Sequence, residues 1–246
     1  MSDKQNYNIA GSGSLPGADY NGDIHISGSG RVNGDAVCDS FHAAGSGHVC
    51  GSLTCRNEFH VSGSGHVDGN LEANSCHIAG SCHINGDVVI NDNCHAGGSF
   101  HVASLRCREL HISGLVSSDR DVTAEEIKID GAVKCGGLIN AENILVRMNG
   151  DCTADSIGGS KITVARHADG PVGFFSRLFG REGSGHKFRV NNTIEGDEIY
   201  LENVTAASVM GRIVKIGPGC KIGYISYSEG IEIDEASEVE RYELVD

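Results

Sequence analysis

Ten of the twelve histidines fall into two series of near-constant spacing. His25, His42, His60, His77, His95 and His111 make one; His48, His66, His83 and His101, with Arg31 in the place before them, make the other. Imidazoles held in register can bind metal or titrate near neutral pH. A tetrahedral metal site needs three or four converging ligands, however, and a column gives each histidine two neighbours. Exposed rings that stack and cover a sheet are the simpler expectation, so neither a metal nor another cofactor is expected. The ten cysteines are a second candidate, as disulfides or metal ligands. They include no Cys-x-x-Cys pair, and most fall at inward positions of the repeat described below, where a reduced thiol acts as a small hydrophobe. No Gly-x-Ser-x-Gly, phosphate-binding loop or paired-carboxylate motif stands out, and an enzyme is not expected.

The elements that would hold these residues are set by a repeat. Its copies read YNIAGSGSLPG at Tyr7, IHISGSGRVNG at Ile24, FHAAGSGHVCG at Phe41, FHVSGSGHVDG at Phe59 and CHIAGSCHING at Cys76. Weaker copies begin at Cys94, Leu110, Ile127 and Ile144, so the period stays between 16 and 18 residues. A short period over most of a chain marks a solenoid, whose units bury their apolar sides against one another. Positions 1 and 3 of each unit are apolar around a polar position 2, as in Ile24 and Ile26 around His25. Positions 7 and 9 (Cys82, Ile84) and positions 13 and 15 (Leu53, Cys55) repeat that alternation. Three short strands per turn predict an all-β fold: a single-stranded, right-handed, triangular parallel β-helix of about 17 residues per coil. Glycine at position 5 marks a corner where a Cβ would be strained. Volumes compensate within coils: Phe41 and Phe59 accompany Gly47 and Gly65, whereas Cys94 accompanies Phe100. Cys38, Cys55, Cys76, Cys82, Cys94, Cys135 and Cys152 point inward in this register and Cys50 outward.

The domain plan that follows is a short tail over 1–6, N-terminal coils over 7–166, an insert over 167–192 and C-terminal coils over 193–246. Ile199, Ile216 and Ile233, 17 apart, carry the later coils. The insert holds four of the seven phenylalanines: Phe174, Phe175, Phe179 and Phe188. On a short helix Phe174, Phe175, Leu178 and Phe179 would share one face, flanked by Arg177 and Arg181, a pattern suited to a membrane interface. The alternatives are a segment packed on the solenoid or one that docks a partner protein. The net charge of −14 leaves no basic footprint for nucleic acid. No apolar run is long enough to span a bilayer, and MSDKQNYNIAG lacks a signal-peptide core, so a cytoplasmic location is expected.

The recurrent Ile-x-Ile-x-Gly-x-Val-x-Gly pattern over residues 7–165 and again over 197–240 resembles the bactofilins, bacterial polymer-forming cytoskeletal proteins with a right-handed parallel β-helix. The resemblance implies a structural scaffold that polymerises with itself end to end without nucleotide, at the inner face of the cell membrane, with cell-envelope or cell-shape proteins as further partners. Open strands at a β-helix end template another copy. That assigns a polymer interface to Tyr7 and Ile9 at one end and to Ile231, Ile233 and Val239 near the other. Two rivals come from other classes. A hexapeptide-repeat acyltransferase is suggested by Ile216-Gly-Pro-Gly-Cys-Lys-Ile222-Gly, with His167 or His186 as base, although such coils keep multiples of six. A monomeric β-helical binding rod is the other.

The Phe-rich segment supplies a direct test. A basic amphipathic face binds a lipid surface weakly as one copy and strongly when a polymer displays many. Wild-type polymer should co-sediment with anionic liposomes, and the triple substitution Phe174→Ser/Phe175→Ser/Phe179→Ser should abolish that while leaving polymerisation intact. Loss of polymer instead would make the segment an assembly element.

Overall fold

The computed structural model describes residues 5–166 and 185–245, so Phe174, Phe175, Arg177, Leu178, Phe179 and Arg181, the residues expected at a membrane interface, lie outside the described residues. The described residues form strands and no helix, and the strands pair in parallel as a β-solenoid with coils of about 17 residues. The all-β parallel solenoid expected from the repeat is thus borne out. The chain divides into two compact units, Met1–Ala124 and Glu125–Asp246.

In the N-terminal unit the repeat sets the register residue by residue. Position 1 runs Tyr7, Ile24, Phe41, Phe59, Cys76, Cys94 and Leu110, each paired with the next. Position 7 runs Gly13, Gly30, Gly47, Gly65, Cys82, Phe100 and Val116. The third face runs Ala36, Leu53, Leu71, Val88, Leu105 and Val122. Alternation with period two sends odd positions inward, and Ile26, Phe41, Phe59, Ile78, Ile84 and Leu105 are fully buried. The Phe41 and Phe59 rings stack at 5.5 Å between centroids. A Cβ on Gly47 would come within 3.3 Å of the tip of Phe41, so the pairing of large and small side chains within a coil is a packing requirement.

The corner glycines have a more specific cause than backbone strain. A Cβ on Gly28, Gly45, Gly63, Gly80, Gly98 or Gly114 would lie between 1.9 and 2.2 Å from the carbonyl oxygen of the preceding coil's corner glycine. Each corner rests on the corner before it, and only hydrogen fits between them. Left-handed backbone occurs instead at Gly34 (φ 115°), beside a second stack of glycines, Gly51, Gly69 and Gly86. There a Cβ would strike a ladder of polar side chains. Asp35 Oδ1 accepts the Ser52 N–H (2.7 Å), Ser52 Oγ that of Asn70 (3.2 Å) and Asn70 Oδ1 that of Asp87 (2.9 Å).

The C-terminal unit opens with short strands from Glu126–Ile129 to Cys152–Ala154 and then uses longer ones, Ser156–Arg166, Phe188–Leu201, Val204–Ile216, Lys221–Ile233 and Glu238–Leu244. Pairing resumes at Phe188, which lies opposite Cys152 and is fully buried. Residues 188–192 of the expected insert are therefore solenoid, and Phe188 is a core residue. The 17-residue alignment of Ile199 with Ile216 also shifts. Ile199 lies opposite Val214 and then Ile231, while Leu201 lies opposite Ile216 and then Ile233, because the intervening coil is two residues shorter than the period. Ion pairs between neighbouring coils, Lys215–Glu232 (2.8 Å), Lys221–Glu238 (2.8 Å) and Arg212–Glu229 (2.5 Å), line the exposed faces. Each adds little, from about zero to 1 kcal/mol.

Neighbouring residues of opposite direction test this register. Phe59→Ala should cost about 3–5 kcal/mol in a urea titration, and His60→Ala, one residue on but outward, about 0.5 kcal/mol. Equal losses would contradict it.

Candidate assembly faces and the histidine columns

Side chains in a coil interior are covered from both sides by neighbouring coils, so a terminal coil leaves one side of its apolar stack uncovered. The N-terminal unit begins with strands Tyr7–Ile9 and Ser12–Pro16, each paired along one edge, with Ile24–Ile26 and Ser29–Asn33. Gly13 and Leu15 are exposed or half-buried, whereas Gly30 and Val32, the same positions one coil later, are buried. A Cβ on Gly11 would touch nothing within 4 Å, in contrast to every later corner glycine of this stack. Of the two residues assigned to this face, Ile9 is buried and Tyr7 half-buried. Tyr7 packs edge-on against Tyr20 at 4.6 Å, and the Tyr20 hydroxyl donates to the Pro16 carbonyl.

The last coil of the C-terminal unit is more open. Ile231, Ile233 and Val239 are half-buried, whereas Val214, Ile216 and Ile222, which they follow in register, are buried. Two residues that sequence reading missed dominate this face. Tyr242 continues the column Ile157, Ile194, Val209 and Ile225, yet it is 56% exposed while Ile225 is fully buried. Leu244, opposite Tyr227, is 63% exposed. The spacing from Ile225 to Tyr242 carried the signal, but a tyrosine between Arg241 and Glu243 reads as a polar strand. Its strand Glu238–Leu244 pairs with Lys221–Ile233 through the backbone. Tyr224 supports the rim, its hydroxyl donating to Glu243 while Arg241 lies over its ring at 4.8 Å.

The histidine columns are outward, as expected. Ring centroids follow at 4.8 Å (His25–His42), 5.8 Å (His42–His60), 4.9 Å (His60–His77), 5.1 Å (His77–His95) and 4.8 Å (His95–His111). In the second column His48, His66, His83 and His101 follow at 4.8, 5.2 and 4.5 Å. Burial and the neighbouring imidazoles His25 and His60 hold His42 below its ordinary value, against the opposing pull of Glu58 and Asp23. Burial, with His111 and His77, does the same to His95. All ten cysteines are free; nine are buried and Cys50 is half-exposed. Burial raises the Cys55 thiol well above its ordinary value and that of Cys82 to about 12, so these thiols stay protonated and inert. His186 of the acyltransferase alternative lies 3.5 Å from Asp151 Oδ1, while His167 lies outside the described residues. The Pro218–Cys220 stretch of that motif is a corner, with Gly219 at φ 79°.

Comparison with known proteins places these faces in context. Residues 2–89 match the model of the bactofilin family, described as polymer-forming cytoskeletal. The Bacillus subtilis (strain 168) protein YhbF, itself described as uncharacterized, is 41% identical over 104 residues. That match takes in 42% of this chain and spans 40% of the relative's length. No solved structure matches. Among the described residues no helix is long and apolar enough to cross a membrane.

The lowered histidines predict a pH response. Unfolded histidines titrate near pH 6.5. Because His42 and His95 titrate lower when folded, the unfolded chain binds more protons, and stability falls as pH drops through that value. The exposed carboxyl of Asp68, held below 3.8 by His48 and His66, acts only in a more acidic window. The melting temperature should therefore decline from about pH 7 to pH 5, and less steeply in His42→Gln. A flat or rising profile would contradict the column electrostatics.

Proposed function

We propose, on the premise that residues 2–89 belong to the bactofilin family, that this chain is a self-polymerising structural protein. It assembles coil end to coil end without nucleotide in the cytoplasm. The observation that carries this reading is the uncovered apolar stack of the last coil, with Val239 half-buried and Tyr242 and Leu244 exposed beside a strand paired along one edge. A coil laid on that face would supply both the missing backbone partners and the missing cover for the side chains. The first coil, with Tyr7, Ile9 and the open corner at Gly11, offers the complementary strand edge in another copy. Association with the inner face of a membrane through residues 171–181, and recruitment of cell-envelope or cell-shape proteins, complete the proposal. Their support is the Phe- and Arg-rich sequence of that segment.

Substitutions on each face test the assembly. Ile9→Asp, or Val239→Lys with Tyr242→Lys, should convert filaments seen by negative-stain electron microscopy into single particles, while circular dichroism keeps the wild-type strand signal. Filaments unchanged in both variants would reject end contact. Wild-type trimers would favour the acyltransferase, and wild-type monomers the binding rod.

A further inference from the structure

The second histidine column contains one place where the residue types change. On this face positions 8 and 10 of a coil point to the same side, as alternate residues of a strand do. Reading successive coils, those pairs are Arg31 and Asn33, His48 and Cys50, His66 and Asp68, His83 and Asn85, and His101 and Ala103. The two coils that begin at Phe41 and Phe59 are thus the adjacent pair with a metal-binding side chain at all four corners. His48 lies opposite His66 in the parallel register, and Cys50 and Asp68 each follow two residues on.

The geometry brings His48, Cys50 and Asp68 together and sets His66 against the same carboxylate. His48 Nε2 lies 3.0 Å and His66 Nε2 2.8 Å from the same oxygen, Asp68 Oδ1. The donor atoms of His48, Cys50 and Asp68 all lie within 4.8 Å of one another. Tetrahedral zinc, with bonds near 2.0 Å to nitrogen or oxygen and 2.3 Å to sulfur, needs donors roughly 3.3–3.7 Å apart. Small side-chain rotations of His48, Cys50 and Asp68 reach that spacing, and His66, 2.8 Å from Asp68 Oδ1, turns from that carboxylate to the fourth position. The side chains are accessible too: those of His48, His66 and Asp68 are 32%, 38% and 41% exposed, and Cys50 is the cysteine that is not buried. One thiolate and one carboxylate balance a divalent charge, and the thiolate favours zinc over magnesium or calcium.

We propose that His48, Cys50, His66 and Asp68 form a zinc site that clips two neighbouring coils together. The thiol gives up its proton on binding, and each imidazole coordinates through Nε2 with its proton on Nδ1. A column of imidazoles alone offers two ligands per ion; the residues two places along the strand supply the other pair. A second grouping, His42, Glu58 and His60, has donors equally near one another but no thiolate, and serves as the internal comparison.

Untagged full-length protein, stripped with chelator, is titrated with zinc against a fluorescent zinc indicator, and with cobalt under an absorbance readout. Wild type should take up one tightly held zinc per chain and show a thiolate-to-cobalt charge-transfer band. Zinc should also slow alkylation of Cys50 and raise the melting temperature. Cys50→Ser/Asp68→Asn, both outward and off the core, should weaken zinc at least tenfold and abolish the band. His42→Gln/His60→Gln should leave affinity and band as in wild type. Wild type that binds no zinc would overturn the proposal. So would zinc affinity unchanged in Cys50→Ser/Asp68→Asn, or binding lost only in His42→Gln/His60→Gln.

Discussion

Within each unit, every coil is built on the backbone of the coil before it, at the separation that parallel strand hydrogen bonds impose. That spacing leaves no slack. It brings corner glycines against the preceding carbonyl oxygens at a distance where a methyl group would collide. It stacks Phe41 on Phe59 and sets the imidazoles of each column about one strand spacing apart. Core composition, surface chemistry and terminal faces all follow from one distance that the side chains have no means to change.

A fixed coil cross-section turns packing into a local constraint. Phe41 fits because Gly47 leaves room across the coil, and Phe100 fits where position 1 is Cys94. Cysteine serves as intermediate-sized filling, and its burial keeps it protonated, as at Cys55 and Cys82. The same logic separates the half-exposed Cys50 from its nine buried counterparts. Residue type therefore says little about role in this fold, whereas position within the coil says a great deal.

The coils of the N-terminal unit were legible because period and alternation coincide: position 1 of each copy pairs with position 1 of the next, from Tyr7 to Leu110. Legibility fell where coil length changed. The coil between Ile199 and Val214 is shorter than its neighbours, so aligning Ile199 with Ile216 by a constant period misplaced the register. Phe188 read as part of an aromatic insert because the preceding sequence hides its pairing with Cys152. The glycine corners were found, but their cause was not, since a carbonyl oxygen one coil away leaves no trace in local sequence. Tyr242 and Leu244 were missed because charged neighbours in an uncovered last strand obscure an apolar column.

The polar ladder beside Gly34 has a direction. At each step a side chain of the earlier coil accepts a hydrogen bond from the backbone of the later one: Asp35 from Ser52, Ser52 from Asn70, Asn70 from Asp87. The earlier coil holds its acceptor before the donor arrives, and the later coil needs that acceptor to satisfy its own backbone. A chain leaving the ribosome from its N-terminus thus presents each finished coil as a ready seat for the next. The winding of this unit matches the order of its synthesis.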